Sequence, residues 1–591
     1  MDLTLPFALL HDEAAGGMRL FTGLTGEIVA QTDAGVRPAL AAMDAAQGWL
    51  AGGIGYEAGH ALEPRLAGLG HAPGSLWFGQ FARMDMLEAD AALAMLRAAA
   101  PGRVAVGAAE PQISRQDFEA MVARVQALIA AGDIYQANVT LPALVAVHGH
   151  PAALFARLWA AGRPPLGGLV HRGGGRWWLC LSPELFFRSA ELPFPNNGAR
   201  VVARPMKGTA PRAADPAADA ALAAGLRSDP KNRAENLMIA DLIRNDLSRV
   251  AVPGSVKVPR PFAVEAYPSL HQLTSEVVAA LADGVRAVAV LEALFPCGSI
   301  TGAPKLRAMA VIADVEAHAR GIYCGAIGWI APGGRQAGFA VAIRTLSILP
   351  EQPGAARLGL GAGIVADSVA ADEWRECLLK GQFLSSRRPL SLIETMRRDA
   401  DGRIVRLDRH LARMAGSAGY FGWRFSADAA RARLAMLPAT PVPQRVRLLL
   451  SARGQWSATC GPMPAVAPMT VALGPQPLDS GDWRLWHKSG DRAFYDDARK
   501  AGGADELLFI TPDGRLTEGS FTSLFVEQGG RLLTPPAHLG LLPGVLRAEL
   551  LESGMAVEAE LRVADLADGF LLGNSLRGLI PARLAPAAAS L

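Results

Sequence analysis

The sequence has few of the residues that mark disulfide-rich or zinc-binding proteins. Only five cysteines occur in 591 residues, and none lies in a CxxC or zinc-ligand spacing; they are Cys180, Cys297, Cys324, Cys377 and Cys460. An odd number of scattered cysteines fits a reducing compartment. We therefore expect a cytoplasmic protein whose thiols are buried.

Long runs of basic or of apolar residues are also missing. Lys and Arg total 58 against 55 Asp and Glu, and no basic segment is interleaved with aromatic residues, so we expect no nucleic-acid partner. The apolar stretch 277–295 contains Asp283 and Arg286 and falls short of the ~18 uninterrupted residues of a membrane span. The first 13 residues lack the basic region and cleavage site of a signal peptide. These absences predict a soluble protein with a small-molecule partner and no membrane partner.

The length predicts more than one domain, because 591 residues exceed what a single hydrophobic core usually supports. The composition changes at Ser-Ser-Arg-Arg-Pro-Leu-Ser, residues 385–391. We predict a first domain over 1–385, a linker over 386–391 and a second domain over 392–591.

A helix followed by a strand is predicted near residue 130. Ser114 and Asp117 resemble a capping box, an apolar stripe follows, and Gly132 ends the helix. The alternation in 134–141 predicts a strand with Gln136, Asn138 and Thr140 on one face. A polar strand face needs water or a ligand beside it.

Two further helices carry acidic residues. Glu235 begins a predicted helix over 235–247, where a carboxylate in the first turn is favoured by the helix dipole. Glu373 and Glu376 lie one turn apart on a predicted helix over 372–380, with Lys380 four residues further on. This pattern fits a surface ion-pair ladder or half of a magnesium site, and the sequence leaves both open.

Between these helices, two predicted strands suggest a cleft for a dicarboxylic acid. Arg344 shares a face of the strand 339–346 with two alanines, which would leave its guanidinium accessible to a carboxylate. Gly359, Gly361 and Gly363 alternate along the strand 357–364, where a flat ligand could approach the backbone.

Lys207 lies in the unusual segment Arg204-Pro205-Met206-Lys207-Gly208-Thr209. Taken alone, such a lysine is usually a solvated surface residue. The wider pattern changes that interpretation, because residues 1–385 resemble the chorismate-utilising enzymes, and in particular their aminodeoxychorismate synthase branch. The resemblance rests on the Lys207 segment and on motifs at 132–138, 182–184, 235–245, 271–273, 298–305, 323–325, 342–345 and 361–368.

The resemblance implies a role for each matching residue. The Lys207 amine would attack chorismate at C2 as the C4 hydroxyl leaves, with His271 assisting, and ammonia would then add at C4. Glu235 and Glu376 would bind Mg²⁺, with Glu373 as an outer or alternative ligand. The substrate-binding residues would be Gln136, Thr209, Thr301, Tyr323, Arg344, Gly361, Gly363 and Lys380.

Two positions separate branches of this family. Enzymes that add water to chorismate have a lysine where this chain has Gln136, and anthranilate-forming relatives have a small residue in place of Lys207. The chain therefore has the aminodeoxychorismate pattern at both. The alternative is an anthranilate or isochorismate synthase fused to an amino-acid aminotransferase.

From about residue 390 the chain resembles the fold-type IV pyridoxal phosphate enzymes, and in particular their aminodeoxychorismate lyases. The motifs that carry this resemblance are 393–397, 408–414, 486–492, 505–509, 517–523, 543–547 and 574–576. The residues 515–526 alternate as one strand, so that Glu518 and Ser520 share a face. Glu518 could then protonate the cofactor ring nitrogen, which makes the ring an electron sink.

The same resemblance implies the other cofactor contacts. Val545 and Leu546 open a helix and would offer backbone amides to the phosphate, together with Arg413 and Ser575. Lys488, which we place after an apolar strand, would hold the cofactor and move the proton, with Thr395 near the departing group. Lys500 is the competing lysine, in a polar helical stretch.

The two resemblances predict successive steps: amination of chorismate, then loss of pyruvate to give 4-aminobenzoate for folate. The second half could instead be a cofactor-binding module without turnover. No glutaminase motif accompanies any cysteine, so we expect a separate glutamine amidotransferase subunit, and a homodimer through the second domain. The implied fold is α+β, with a large two-sheet domain followed by a two-lobed domain.

Overall fold

The computed structural model describes residues 1–191, 199–213, 215–267, 270–385, 391–452, 454–478 and 480–585. The chain forms two compact units. The first consists of Met1–Pro211 and Ala223–Arg387, and the second of Arg212–Leu222 and Arg388–Leu591. Residues 386–390 of the predicted linker lie outside the described residues. The second unit thus includes a segment, Arg212–Leu222, that the sequence placed in the first domain.

The described residues up to 385 contain strands β1 to β18 and helices α1 to α10, all in the first unit except α6, Pro216–Ser228, which begins in the second unit and ends in the first. The strands are Phe7–Asp12, Gly17–Ala30, Trp49–Ile54, Leu76–Leu87, Ala105–Pro111, Gln136–His148, Gly168–His171, Trp177–Cys180, Leu185–Glu191, Ala199–Arg204, Met206–Pro211, Lys257–Ala266, Leu270–Ala280, Gly302–Ala303, Ala326–Ile330, Ala337–Val341, Thr345–Ile348 and Ala355–Ile364. The helices are Asp33–Ala45, Ala58–Leu62, Ala89–Ala99, Arg115–Ala130, Pro151–Gly162, Pro216–Ser228, Pro230–Ser248, Ala287–Leu294, Lys305–Val315 and Ala370–Gly381.

The strands of the first unit pair in one antiparallel array. The array runs from β6 through β18, β17, β8, β7 and β1 to β2, and continues through β4, β3, β15, β16, β9 and β10 to β13. A large apolar core, which includes Phe118, Phe155 and Phe187, lies beneath it. This arrangement of strands and helices confirms the predicted α+β class.

The second unit contains strands β19 to β29 and helices α11 to α15. The strands are Ser391–Arg398, Gln444–Ser451, Trp456–Pro462, Met469–Pro475, Glu506–Ile510, Leu516–Gly519, Ser523–Gln528, Arg531–Thr534, Ala556–Glu558, Phe570–Asn574 and Gly578–Leu584. The helices are Leu407–Phe421, Ala427–Ala435, Trp483–Trp486, Ala493–Gly502 and Val545–Glu552.

Two sheets in this unit give the two lobes that the resemblance implies. β19, β20 and β21 form one antiparallel sheet. The other sheet has eight strands and includes parallel pairs of β22 with β23 and with β29. Pairing of β24 with β25 closes six of these strands into a ring. Each lobe has its own apolar cluster.

Several predicted elements are confirmed. Ser114 caps α4 and forms the expected reciprocal capping box with Asp117. In β6, the polar side chains of Gln136, Asn138 and Thr140 are all buried, and this face therefore has a neighbour. Within the described ranges, no helix is long and apolar enough to cross a membrane.

Other local predictions were wrong. α7 begins at Pro230, with Asp229 as its cap, so Glu235 lies in the second turn and not in the first. Arg344 lies between β16 and β17, with a positive φ of 50°, and not within a strand. The predicted strand 515–526 is a hairpin of β24 and β25, because Glu518 pairs with Ser523 across a tight turn.

Candidate active sites

A cavity of about 290 Å³ in the first unit brings together most of the predicted substrate and metal residues. We call it the substrate cavity. Its lining includes Lys207, Thr209, Glu235, Tyr323, Arg344, Gly361, Gly363, Glu373, Glu376 and Lys380. These residues come from segments far apart in the sequence, and the fold alone makes them neighbours.

A local irregularity in the sheet positions Lys207. The register of β11 against β13 shifts between Met206 and Thr209, and Gly208 adopts a positive φ of 92°. Such a bulge turns a side chain out of the regular alternation. The side-chain amide of Asn236 in α7 donates to the carbonyl oxygens of Lys207, at 3.3 Å, and of Leu273, at 3.0 Å. Asn236, which the sequence analysis did not single out, thus fixes the backbone that carries the lysine.

The Lys207 amine is buried beside an amide without a partner. Burial lowers the pKa of Lys207, although the carboxylate of Glu235 opposes the shift. A methyl group at Gly363 would lie 2.7 Å from both Lys207 Nζ and Gln136 Nε2. Neither amide atom of Gln136 has a hydrogen-bond partner among the described residues. Buried polar groups are nearly always paired, so this amide is available to a ligand.

The contacts of Gly363 predict the effect of one methyl group. We expect Gly363→Ala to lower amination of chorismate by ~10²-fold, because the methyl would displace the amine and the amide, and a misplacement of ~1 Å can cost that much. Steady-state rates with chorismate and ammonium would measure the effect. Gly225→Ala is the matched control, since a methyl there has no neighbour within 4 Å. Equal rates for the two variants would contradict this account of Gly363.

Three glutamates from two helices face the substrate cavity. Lys380 pairs with Glu376 at 2.7 Å and lowers the pKa of that carboxyl, and also donates to Gly361 O at 2.8 Å. Burial raises the pKa of Glu235 and of Glu373, although nearby lysines oppose the shift. Among the described residues, no three His, Cys, Asp or Glu side chains form a ready metal-binding group.

Three predicted site residues, the catalytic candidate His271 and the substrate-binding candidates Gln136 and Thr301, are not in the lining of the substrate cavity. Thr301 is fully buried and its hydroxyl donates to Cys297 O and Gly298 O, so the hydroxyl is engaged within its own loop. His271 lies on β13 between Leu270 and Gln272, which both line the cavity. Because strand side chains alternate, His271 is on the opposite face. Gln136 is also absent from the lining, but its side-chain amide lies next to Gly363, which does line the cavity.

Glu184 is a candidate functional residue that the sequence reasoning missed. It lines the substrate cavity, is 3% exposed, and accepts a hydrogen bond from Ser299 Oγ at 2.5 Å. Burial raises its pKa to about 7, although Ser299 and Lys207 oppose the shift. A carboxyl with that pKa can hold a proton near neutrality. The sequence signal for Glu184 is the Ser182-Pro183-Glu184 motif. This motif contributes to the family resemblance but does not by itself indicate a proton donor.

In the second unit, Lys488 lies in a site with two cations. It follows the short helix α13, Trp483–Trp486, and not the apolar strand that was predicted. Its carbonyl accepts from Ile393 N at 3.0 Å, which ties it to β19. Burial, together with Arg413 and Arg492, lowers the pKa of the Lys488 amine to about 7. Lys500 is exposed on α14, as expected.

Glu518 is held at the end of β24. The Tyr495 hydroxyl donates to its Oε1 at 2.6 Å and Leu542 N donates at 3.0 Å. Burial raises the pKa of Glu518 to about 7, and the Coulomb effect of Lys488 opposes this shift. The two groups are thus close enough to influence each other's protonation.

Ser520 does not share a strand face with Glu518. It lies in the hairpin turn, and its Oγ donates to Glu506 Oε1 at 2.5 Å. Glu506 is fully buried and also accepts from Phe521 N and from Thr522 Oγ1. The carboxylate of Glu506 therefore shapes this turn.

The remaining cofactor residues form a polar network. Arg413 donates twice to Glu394, at 2.8 and 2.7 Å, and His410 bridges Glu394 and Ser575 at 2.6 and 2.8 Å. Although burial opposes it, the Arg413 charge and His410 lower the pKa of Glu394 to about 2. The carboxylate is thus ionised and holds Arg413 in place.

The last predicted contacts lie on separate elements. Val545 and Leu546 begin α15, where no side chain caps the helix. The amides of a first helical turn have no partner within the helix, and they can bind a phosphate. Thr395 lies on β19 opposite Arg447 and is partly buried.

Comparisons with known proteins agree with the division of the chain into two units. The family model of chorismate binding enzymes matches residues 6–386, and that of class IV amino-transferases matches residues 391–585. Aminodeoxychorismate synthase component 1 of Salmonella typhimurium is 41% identical over 267 residues, which are 45% of this chain and 56% of the relative. Anthranilate synthase component 1 of Streptomyces coelicolor is 39% identical over 272 residues, 46% of this chain and 51% of the relative. The matches thus span just over half of these relatives.

A solved structure extends the comparison to the fold. Anthranilate synthase component I from Streptococcus pneumoniae matches with a TM-score of 0.52 at 25% identity, over 65% of this chain and 93% of that one. It covers a share of the chain similar to that of the first family model, which spans well over half of the sequence. The chain belongs to the family of chorismate binding enzymes, whose model matches residues 6–386. Residues 391–585 match the class IV amino-transferases.

Proposed function

We propose that the chain makes 4-aminobenzoate from chorismate and ammonia in two steps, one in each unit. The observation that carries the proposal is the buried Lys207 amine, which meets the unpartnered Gln136 amide at Gly363 inside the substrate cavity. Relatives named aminodeoxychorismate synthase component 1 support the first step. The buried lysine beside Glu518 in the second unit supports the second.

In the first step, the neutral Lys207 amine attacks C2 of chorismate. The N–C2 bond forms, the ring double bonds shift, and the C4–O bond breaks. Ammonia then adds at C4 and expels the lysine from C2, which restores the free amine. A neutral amine is required for attack, and burial favours this form of Lys207.

Glu184 is suited to donate the proton that converts the departing C4 hydroxyl into water. Because its pKa is about 7, it is protonated below that pH and ionised above it. We expect first-step activity to fall as the pH rises through about 7, and Glu184→Gln to lose this limb along with ~10²–10⁴-fold of rate. A pH–rate profile with chorismate in excess would measure both effects. Glu110→Gln, an exposed substitution, should leave the profile unchanged; an unchanged profile in Glu184→Gln would remove Glu184 from the reaction.

Glu235, Glu373 and Glu376 fit a magnesium site that is completed by the substrate. Mg²⁺ is commonly held by one or two carboxylates, waters and an oxyanion of the substrate. The ion would neutralise a chorismate carboxylate and the raised-pKa glutamates together. Arg344, which also lines the substrate cavity, has a guanidinium suited to bind a second carboxylate of the substrate.

The polar groups of the second unit fit pyridoxal phosphate. Arg413, Ser575 and the open amides at the start of α15 would hold the phosphate, and Glu518 would face the ring nitrogen. Once bound, the cofactor supplies an electron sink. Lys488, with its pKa of about 7, can remove the C4 proton of aminodeoxychorismate and return a proton as pyruvate leaves.

Ammonia comes from a separate glutamine amidotransferase subunit in this proposal. A nucleophilic thiol needs a lowered pKa. Burial instead raises the pKa of Cys180 to about 11 and that of Cys297, Cys324 and Cys377 to about 12. The relatives named component 1 agree with a second component.

Product analysis tests the proposal. Incubation with chorismate, ammonium, Mg²⁺ and pyridoxal phosphate should give 4-aminobenzoate and pyruvate, and glutamine alone should give neither. Omission of pyridoxal phosphate should stop the reaction at aminodeoxychorismate. Anthranilate as the main product would overturn the assignment in favour of an anthranilate synthase.

A further inference from the structure

The first unit contains a second cavity that the proposed reaction does not use. Its volume is about 860 Å³, and Trp77, Arg172, Trp178 and Arg357 are among its lining residues. We call it the arginine cavity. Ligand sites in proteins usually measure roughly 300–1,000 Å³, so this one has room for a small organic molecule.

One wall of the arginine cavity is a face of the sheet. Trp178 of β8 lies opposite Ser347 of β17, Ser347 lies opposite Arg357 of β18, and Arg357 lies opposite Leu144 of β6. Residues directly opposite on antiparallel strands have side chains ~5 Å apart on the same face. The row therefore presents an indole, a hydroxyl, a guanidinium and an apolar side chain along ~14 Å of the cavity wall.

Arg172 supplies a cation whose buried Nε lacks a hydrogen-bond acceptor among the described residues. Its guanidinium lies over the Trp178 ring, 4.0 Å from the ring centroid. Its buried Nε has no hydrogen-bond partner within the described part of the chain. The carboxylate of Glu351 pairs with Arg176 instead, at 2.7 Å. A buried donor left unpaired is costly, and an anionic acceptor would complete it.

The other charges of the lining leave it positive. Arg320 is neutralised by Glu316 at 2.7 Å, whereas Arg357 bonds only the neutral amide of Gln352, at 3.0 Å, among its described contacts. Glu27 is the acid of the lining, and its side chain is exposed to solvent. The net positive charge of the lining favours binding of an anionic ligand.

We propose that the arginine cavity binds an aromatic carboxylate. Its carboxylate is held by Arg172 and Arg357, and its ring packs against Trp77 of the lining. This class includes 4-aminobenzoate, and in naming that ligand the inference rests on the proposed function. The site is separate from the one that binds chorismate.

Tyr323 connects the two cavities. Tyr323 and Gly359 line both of them. The Tyr323 ring packs on Gly359 so closely that any side chain at that position would overlap it. The two cavities therefore share a wall at Tyr323 and Gly359.

Calorimetric titration of the full chain with benzoate and with 4-aminobenzoate tests the proposal without turnover. We expect Arg172→Gln to weaken binding of both probes by ~10-fold or more, because a charge-assisted hydrogen bond is lost. Arg335→Gln, an exposed arginine outside the lining, is the matched control and should bind normally. Benzamidine, with the same ring and a positive charge, should not bind.

Two variants separate this site from the substrate cavity. Arg344→Gln should keep its affinity for benzoate, and Ser347→Trp, which fills the arginine cavity, should lose it while near-ultraviolet circular dichroism shows a folded protein. The proposal is overturned if benzoate does not bind, if Arg172→Gln binds as tightly as the unmodified chain, or if binding is lost in Arg344→Gln. The proposed function is judged separately, by the products formed from chorismate.

Discussion

Lys207→Ala is expected to lower ammonia-dependent formation of aminodeoxychorismate by at least ~10³-fold, because the variant has no nucleophile for C2. Magnesium binding should survive, since Glu235, Glu373 and Glu376 lie on α7 and α10 and do not depend on the lysine for their backbone. Chromatographic analysis of the products from chorismate and ammonium would measure the loss, and calorimetric titration with Mg²⁺ would measure the binding.

Two variants sharpen this test. Lys207→Arg keeps a positive charge near Glu235 but cannot form the covalent intermediate, and it should be as inactive as Lys207→Ala. Lys257→Ala removes an exposed lysine from β12 and should have full activity. Substantial activity in Lys207→Arg would reduce the role of Lys207 to that of a charge.

Lys488→Ala should give the second large effect, a loss of 4-aminobenzoate formation by ~10³-fold while aminodeoxychorismate accumulates. The reason is that the substitution removes the group that moves the proton, and general acid–base catalysis alone contributes ~10²–10⁴-fold. The visible absorbance of the cofactor-loaded protein should also be lost, because no other buried amine lies beside Glu518 in the described residues.

Lys500→Ala is the matched control, since this lysine is exposed on α14 only 12 positions away in the sequence. It should keep both the absorbance and the product. Undiminished 4-aminobenzoate formation by Lys488→Ala would support a second unit that binds its cofactor without catalysing the reaction.

The sequence predicted the elements that local patterns determine. The capping box of α4 and the glycine face of β18 are short-range signals, and both occur as expected. Glu235 was misplaced in its helix because Pro230, a favourable first residue, begins the helix five positions earlier. Arg344 was placed in a strand because alternation cannot reveal a residue with positive φ.

The prediction of site residues was limited in the same way, because local sequence patterns do not show how distant segments pack. Motif resemblance selected Lys207, Glu235 and Glu376, which the fold brings to one cavity. It could not show that His271 faces away from this cavity, because that depends on the register of β13 against β11. Glu184 was missed as a candidate proton donor because its raised pKa arises from burial among residues distant in the sequence.

The membership of Arg212–Leu222 in the second unit has a practical consequence for dissecting the protein. The polypeptide passes between the units three times, directly after Pro211, after Leu222 and after Arg387. A fragment that starts at residue 391 would lack eleven residues of its own unit, and a fragment that ends at 385 would carry them as an internal segment separated from the unit they belong to. Each half is therefore best studied by inactivating the other within the intact polypeptide, not by truncation.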